Sequence, residues 1–176
     1  MSEQSTERSR GSVLLADDDS DLREALASAL EEDGFSVSCA GSGAEALVLL
    51  RDQPCDALLT DLRMRAVDGL EVCRQANEIK PQVPVLVMTA FGDMAAAVSA
   101  IRAGAYDFLA KPIEPDALSI ALDRAVQHRR LSAEIRELQR RLQSDALGQE
   151  MIGESREIKS LLGIVERAAQ SDSTVL

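Results

Sequence analysis

The chain has 176 residues, of which 45% are hydrophobic and 28% are charged, a composition typical of a globular domain with an additional segment. Its net charge of -11 argues against direct nucleic-acid binding by this segment, because phosphate contacts need clustered Lys and Arg. A single histidine excludes His-rich metal sites, and no apolar run suggests a membrane span or a signal peptide, so we expect a cytoplasmic protein.

The three cysteines are Cys39, Cys55 and Cys73, which are far apart and form no Cys-x-x-Cys pair. The spacing therefore predicts neither a disulfide framework nor a zinc site. Each cysteine lies in an apolar pattern, so we expect all three to be small buried hydrophobic residues.

From residue 13 onward, short apolar runs alternate with runs whose apolar residues recur at helical spacing. Residues 1–12 are polar and are predicted to form a disordered lead-in. The predicted strands are 13–16, 35–40, 55–60, 83–88 and 105–110. The predicted helices are one from an N-cap at Asp19 or Ser20 to Gly34, then 44–50, 69–79 and 94–103, and a last one starting near Glu114.

This alternation requires crossover connections, which produce a parallel sheet. About five βα units predict an α/β, flavodoxin-like (βα)5 doubly wound sheet over residues 13–128. Residues 129–147 are predicted to be a helical or coiled-coil linker, because four apolar residues there are spaced four, three and four apart. They are Leu131, Ile135, Leu138 and Leu142. The alternative is an amphipathic helix that packs on its own domain.

Side chains that can bind a metal ion or take part in a reaction follow four of the five predicted strands. Asp17 and Asp18 follow the first strand, Asp61 the third, Thr89 the fourth and Lys111 the fifth. Parallel strands end at one edge of the sheet, so we expect these side chains to meet there. Crowded carboxylates favour a cation, and their hard oxygen atoms favour Mg²⁺. Such a set suits phosphoryl transfer to a carboxylate.

Each of these residues also has a structural interpretation. An Asp after a strand commonly caps the next helix, and the run Asp17–Asp19 could be a solvated acidic turn. The joint pattern of acids, hydroxyl and lysine favours the chemical interpretation.

Four segments of the chain resemble the motifs of response-regulator receiver domains: 14–23, 58–64 with Asp68-Gly69, 87–90 and 104–112. The resemblance covers roughly residues 12 to 128.

The resemblance implies a role for each matching residue. Asp61 matches the phosphoacceptor, and Asp18 the direct magnesium ligand with Asp17 as its water-mediated neighbour. The backbone carbonyl of Arg63 matches a third protein ligand. Thr89 matches the switch hydroxyl, Lys111 the phosphate-contacting lysine and Phe108 the aromatic residue that repacks on activation. Lys111-Pro112 is expected to be a cis peptide.

The chain departs from the family pattern at Arg65, where proline usually stands. Proline would fix φ, so its loss is expected to loosen the loop that carries Arg63. Arg65 also adds positive charge near the site, and altered phosphorylation or dephosphorylation rates are expected.

The segments 151–155 and 171–176 resemble the start of the AAA+ ATPase domain of sigma-54-dependent activators of the nitrogen-regulation and dicarboxylate-transport types. We therefore expect 148–176 to be the truncated start of such a domain. No G-x-x-x-x-G-K-[ST] motif occurs, so ATP hydrolysis by that route is not expected.

The resemblance also implies partners. A sensor histidine kinase would donate the phosphoryl group, and a homodimer would form through the linker and the face of the fourth helix, fifth strand and fifth helix. Sigma-54 RNA polymerase, ATP and DNA would be partners of the full-length protein. Whether phosphorylation activates or relieves repression stays open.

Three other functions are compatible with parts of the sequence. A magnesium-dependent phosphohydrolase commonly has Asp-x-Asp after a strand, whereas Leu62 and Arg63 follow Asp61. A flavin- or nucleotide-binding module would need a phosphate loop where an acidic turn stands. An interaction module that is never phosphorylated has Arg65 as its only support.

Overall fold

Five strands and five helices alternate along the chain in the computed structural model, which describes residues 9–90 and 93–148, without the side chains of 143–148. The strands are β1 (Gly11–Ala16), β2 (Phe35–Ala40), β3 (Ala57–Asp61), β4 (Val85–Ala90) and β5 (Asp107–Lys111). The helices are α1 (Ser20–Glu32), α2 (Gly43–Asp52), α3 (Gly69–Ile79), α4 (Met94–Arg102) and α5 (Pro115–Gly148). The predicted alternation is confirmed.

The strands form one parallel sheet in the order β2-β1-β3-β4-β5. The chain runs from β1 to one edge of the sheet and then returns past β1 to β3, which makes the winding double. The predicted flavodoxin-like fold is confirmed. Because the order reverses between β1 and β3, the crevice for chemistry lies at the carboxyl ends of these two strands.

Each face of the sheet has its own apolar core. Leu14 and Ala16 of β1 belong to the core on one face, and Val13 and Leu15 belong to the core on the other. All five residues of β3 are buried, as expected for a central strand covered by helices on both sides. Each fully buried leucine contributes about 1.5–3 kcal/mol relative to an exposed one, so the sheet is a firm base for the loops at its carboxyl edge.

Four helices begin with a polar side chain that accepts hydrogen bonds from the backbone of the first turn. The caps are Asp19 for α1, Ser42 for α2, Asp68 for α3 and Asp93 for α4. Asp19, not Ser20, is therefore the cap of the first helix. Gly34 follows that helix with φ of 87°, a conformation that favours glycine.

The prediction that all three cysteines are buried is wrong for Cys39. Cys55 and Cys73 are buried, and burial raises the pKa of the Cys73 thiol to about 11. Cys39 is exposed, as are Ser36 and Ser38 of the same strand, because β2 lies at the edge of the sheet and has a neighbouring strand on one side only.

The prediction of a disordered lead-in is wrong for its last residues. β1 begins at Gly11, and the backbone N–H of Arg10 donates to the carbonyl of Gly34. The Arg10 guanidinium also forms an ion pair with Asp123 of α5 and lies over the ring of Phe35, 4.7 Å from its centroid. Residues 1–8 lie outside the described part of the chain.

The chain divides into two compact units, residues 1–134 and 135–176. The four apolar residues of the predicted linker are all exposed, and α5 continues to Gly148. The coiled-coil linker stays a prediction, and residues 149–176 of the predicted second domain lie outside the described residues. No helix in the described ranges is both long and apolar enough to cross a membrane.

Candidate functional site

Three carboxylates meet at the carboxyl edge of the sheet, at the crevice between β1 and β3. Asp61 is the last residue of β3, while Asp17 and Asp18 directly follow β1. One oxygen atom from each of the three lies within 4.8 Å of the others. Asp17 is 1% exposed and Asp61 is 7% exposed, whereas Asp18 is open to solvent. The three carboxylates therefore lie together at the edge of the sheet, as their positions after the strands predict.

Lys111 reaches into this acidic cluster from the end of β5. Its Nζ lies 2.7 Å from Asp61 Oδ1 and 3.1 Å from Asp17 Oδ2. Burial by itself lowers the pKa of Lys111, but hydrogen bonds to Asp61 and Asp17 and their negative charges outweigh it and raise the pKa above 10.5. Lys111 is therefore charged at neutral pH. The peptide bond from Lys111 to Pro112 is cis, as expected.

The Asp61 carboxylate is held in one orientation by two donors. Lys111 contacts Oδ1, and the backbone N–H of Arg63 donates to Oδ2 at 2.9 Å. Asp17 is held as well, since its Oδ1 accepts from the N–H of Asp19 and its carbonyl accepts from the Arg23 guanidinium at 2.6 Å. A carboxylate fixed in this way needs little reorganisation before it reacts.

Gly69 permits the loop after Asp61 to fold back on the Asp61 backbone. A Cβ on Gly69 would lie 2.3 Å from the carbonyl oxygen of Asp61 and 2.8 Å from the Cα of Leu62. Gly69 N–H donates to the carbonyl of Leu62 at 2.9 Å, which closes the loop. Only glycine fits this close approach of one backbone segment to another.

Gly69→Ala is expected to lower the free energy of unfolding by about 1–3 kcal/mol, because the added methyl group meets backbone atoms that cannot rotate away. Chemical denaturation measures the change. Gly41→Ala is the matched control, since its Cβ would meet only side-chain atoms at 3.6 Å or more. An unchanged Gly69→Ala protein would show that the loop does not pack as described.

Thr89 and Phe108 lie together, beside the acidic cluster rather than in it. Both line a cavity of about 190 Å³, and Thr89 is paired with Ala110 in the sheet register. Thr89 is buried, and its hydroxyl donates to the carbonyl of Ala90. Phe108 is about one-third exposed and also lines a second cavity of about 310 Å³ against α4.

Two arginines of the β3–α3 loop connect it to the neighbouring loops. The Arg63 guanidinium lies 3.1 Å from Asp93 Oδ2, and Arg65 Nε lies 3.8 Å from Asp18 Oδ2. Arg65 is 97% exposed, so this contact is loose, and its effect on rates stays a prediction. The side chain of Arg63 and the residue Asp93 were not among the predicted site residues.

The donor set fits a magnesium ion. All three carboxylates offer hard oxygen atoms that lie within 4.8 Å of one another, and the exposed Asp18 leaves room for water molecules, which Mg²⁺ retains. Three acids this close repel one another, and Lys111 neutralises only part of their charge. A divalent cation would offset the remainder.

Comparison with known proteins identifies a family. The family model described as response regulator receiver domain matches residues 13–123. The C4-dicarboxylate transport transcriptional regulatory protein DctD of Rhizobium meliloti (strain 1021) is 39% identical over 165 residues, which is 94% of this chain. The DNA-binding transcriptional regulator NtrC of Escherichia coli (strain K12) is 35% identical over 167 residues, or 95% of this chain. The chain spans only 36% and 35% of the length of these relatives.

Solved structures agree with this result. A response regulator receiver domain protein from Clostridium thermocellum is 31% identical with a TM-score of 0.66, covering 68% of this chain and 97% of its own. NtrX from Brucella abortus, in complex with ATP, is 29% identical with a TM-score of 0.70, covering 93% of this chain and 36% of its own. With a family model matching more than half of its length and the acids and lysine gathered at the expected edge, the chain belongs to the response regulator receiver domain family.

Proposed function

We propose that this chain receives a phosphoryl group on the Asp61 carboxylate and thereby acts in signalling, not as an enzyme with turnover. The observation that carries the proposal is the fixed, buried carboxylate of Asp61, with Lys111 Nζ at 2.7 Å and two further acids within 4.8 Å. The neighbours of Asp61 are a cation and a candidate metal site, which suit an anionic group arriving at its oxygen.

The step is a substitution at phosphorus. One Asp61 oxygen forms a bond to the phosphorus atom, the bond from phosphorus to the donor breaks, and the donor keeps the electron pair. The product is an acyl phosphate on Asp61. Magnesium, held by Asp18 and Asp61, with Asp17 through water and the Arg63 carbonyl as a further ligand, would neutralise charge on the phosphoryl oxygens.

Lys111 and Thr89 are the protein's own contacts for the transferred group. Lys111 is charged at neutral pH, and its ammonium group already contacts Asp61. It can therefore contact a phosphoryl group on Asp61 without a large movement. In the proposal the Thr89 hydroxyl leaves the Ala90 carbonyl and donates to a phosphoryl oxygen. Phe108 shares a cavity with Thr89, so a shift of Thr89 leaves space into which Phe108 moves.

The same proposal extends to the longer protein that the relatives represent. A sensor histidine kinase would supply the phosphoryl group in the cytoplasm. The receiver would comprise residues 13–128, a linker 129–147, and an AAA+ domain starting at 148. Phosphorylation would control dimerisation and assembly of an ATPase that acts with sigma-54 RNA polymerase, ATP and DNA. The exposed apolar side chains of α4 and β5 support the dimer face, among them Met94, Ile101 and Phe108.

Incubation with acetyl phosphate and Mg²⁺, followed by intact mass measurement, tests the proposal. We expect one phosphoryl adduct per chain, and almost none when a chelator removes the metal. Asp68→Asn is a suitable control, because Asp68 caps α3 on the same loop and Asn caps a helix equally well. An absent adduct, or an equal adduct with the chelator, would contradict the proposal. Sustained release of phosphate from unrelated esters would favour the phosphohydrolase.

A further inference from the structure

Arg63 connects the phosphoacceptor loop to the first turn of α4. Its backbone N–H donates to Asp61 Oδ2, while its guanidinium group lies 3.1 Å from Asp93 Oδ2. The two carboxylate oxygen atoms of Asp93 make different contacts. Oδ1 accepts from the N–H of Ala96 at 3.0 Å and so caps α4, and Oδ2 receives Arg63. One ion pair thus links the loop after β3 to the N-cap of α4.

This ion pair is poised to exchange partners. The Arg63 side chain is 72% exposed, so its contact with Asp93 is screened by solvent and contributes little stability. A phosphoryl group on Asp61 would carry a charge of about -1.5 to -2 and three acceptor oxygens, two residues from Arg63. A guanidinium group binds phosphate through two parallel hydrogen bonds, which a capping carboxylate with one free oxygen does not offer.

Exchange of the Arg63 partner would affect the start of α4, because Asp93 lies there. Asp93 lines the cavity of about 190 Å³ that Thr89 and Phe108 also line. Loss of the ion pair with Arg63 would allow Asp93, which lines that cavity at the start of α4, to move. This ion pair between the β3–α3 loop and the N-cap of α4 would then be present only while Asp61 is unmodified.

We propose, on the basis of the proposed function of Asp61, that the Arg63 guanidinium group leaves Asp93 and binds the phosphoryl group on Asp61. Phosphorylation and the Arg63–Asp93 pair therefore compete for one guanidinium group. Because coupling between two binding events is reciprocal, weakening the pair strengthens binding of the phosphoryl group.

The capping role of Asp93 permits a clean substitution. Asp93→Asn removes the charge that holds Arg63 but keeps an oxygen that caps α4, since Asn and Asp are similarly favoured at this position. Arg63→Gln removes the other partner. Asp68→Asn is the matched control, because Asp68 caps α3 in the same manner and no ion pair is found for it among the described residues.

Beryllofluoride is the probe, since it mimics a phosphoryl group on a carboxylate without covalent turnover. Titration of the full chain at saturating Mg²⁺, followed by calorimetry, gives its Kd for each variant. We expect Asp93→Asn to bind about two- to fivefold more tightly than wild type, the range typical of one exposed ion pair. Arg63→Gln should bind more weakly, and adding Asp93→Asn to it should change nothing further.

Other outcomes would overturn the inference. These are an unchanged Kd for Asp93→Asn, an equal tightening in the Arg63→Gln background, or the same tightening by Asp68→Asn. Each of these leaves the proposed function intact as long as wild type binds beryllofluoride and Asp61→Asn does not. Absent binding by wild type, or equal binding by Asp61→Asn, would overturn the proposed function and this inference together.

Discussion

Asp61→Asn is expected to accept no phosphoryl group from acetyl phosphate while it keeps its fold. The amide has nearly the volume of the carboxylate but lacks the anionic oxygen that attacks phosphorus. Lys111 keeps Asp17 as a partner at 3.1 Å, and the substitution removes one of three mutually repelling acids. The melting temperature is therefore not expected to fall. Intact mass and thermal unfolding measure the two effects.

Asp19→Asn is the control for this experiment. Asp19 belongs to the same acidic run as Asp17 and Asp18, but its side chain caps α1 by accepting from the N–H groups of Asp21 and Leu22. We expect it to accept a phosphoryl group at the rate of wild type. An adduct of undiminished yield on Asp61→Asn would mean that another nucleophile carries the modification.

Lys111→Met is expected to slow phosphorylation by acetyl phosphate about 100- to 1000-fold, the effect typical of losing one preorganised donor to a developing charge. Lys111 is the cation that contacts Asp61 in the described part of the chain, and methionine preserves much of the length of its side chain. Rates follow from the time course of the adduct at saturating Mg²⁺. Lys80→Met is the matched control, because Lys80 contacts the carbonyl of Gln53 and not the site.

Because of Lys111, the free energy of unfolding is expected to depend on pH in the alkaline range. Its pKa is raised in the folded state, so its contribution is fully present below its ordinary pKa of 10.5 and is lost as the pH rises through the folded value. The difference in unfolding free energy between wild type and Lys111→Met should therefore shrink at alkaline pH. A difference that is constant from neutral to strongly alkaline pH, or an unchanged phosphorylation rate, would contradict the assigned contacts of Lys111.

Periodicity and strand ends were sufficient to predict the fold and the principal site. The alternation of apolar runs implied a parallel sheet, and a parallel sheet places the residues after its strands at one edge. The sequence alone therefore predicts that Asp17, Asp18, Asp61 and Lys111 lie at one edge of the sheet. The motif resemblance then supplied their expected roles, which spacing alone does not distinguish.

The remaining features depend on strand order and loop paths, which local patterns do not encode. Cys39 lies in an apolar pattern, yet it is exposed because β2 is at the edge of the sheet. The sequence pattern marks Gly69 only as part of the Asp68-Gly69 motif and as the start of a helix, whereas in the structure a Cβ on Gly69 would lie 2.3 Å from the carbonyl oxygen of Asp61. The Arg63–Asp93 pair joins residues 30 positions apart on two loops, and no periodic signal relates them.

Locating the modified residue tests whether Asp61 receives the phosphoryl group. Wild-type chain phosphorylated with acetyl phosphate and Mg²⁺ is reduced with borohydride, which converts an acyl phosphate to a stable alcohol, and its peptides are then sequenced by mass spectrometry. We predict a reduced residue at Asp61 and at no other acid of the cluster. A reduced residue at Asp17 or Asp18 with Asp61 unmodified, or no reduced residue at all, would contradict it.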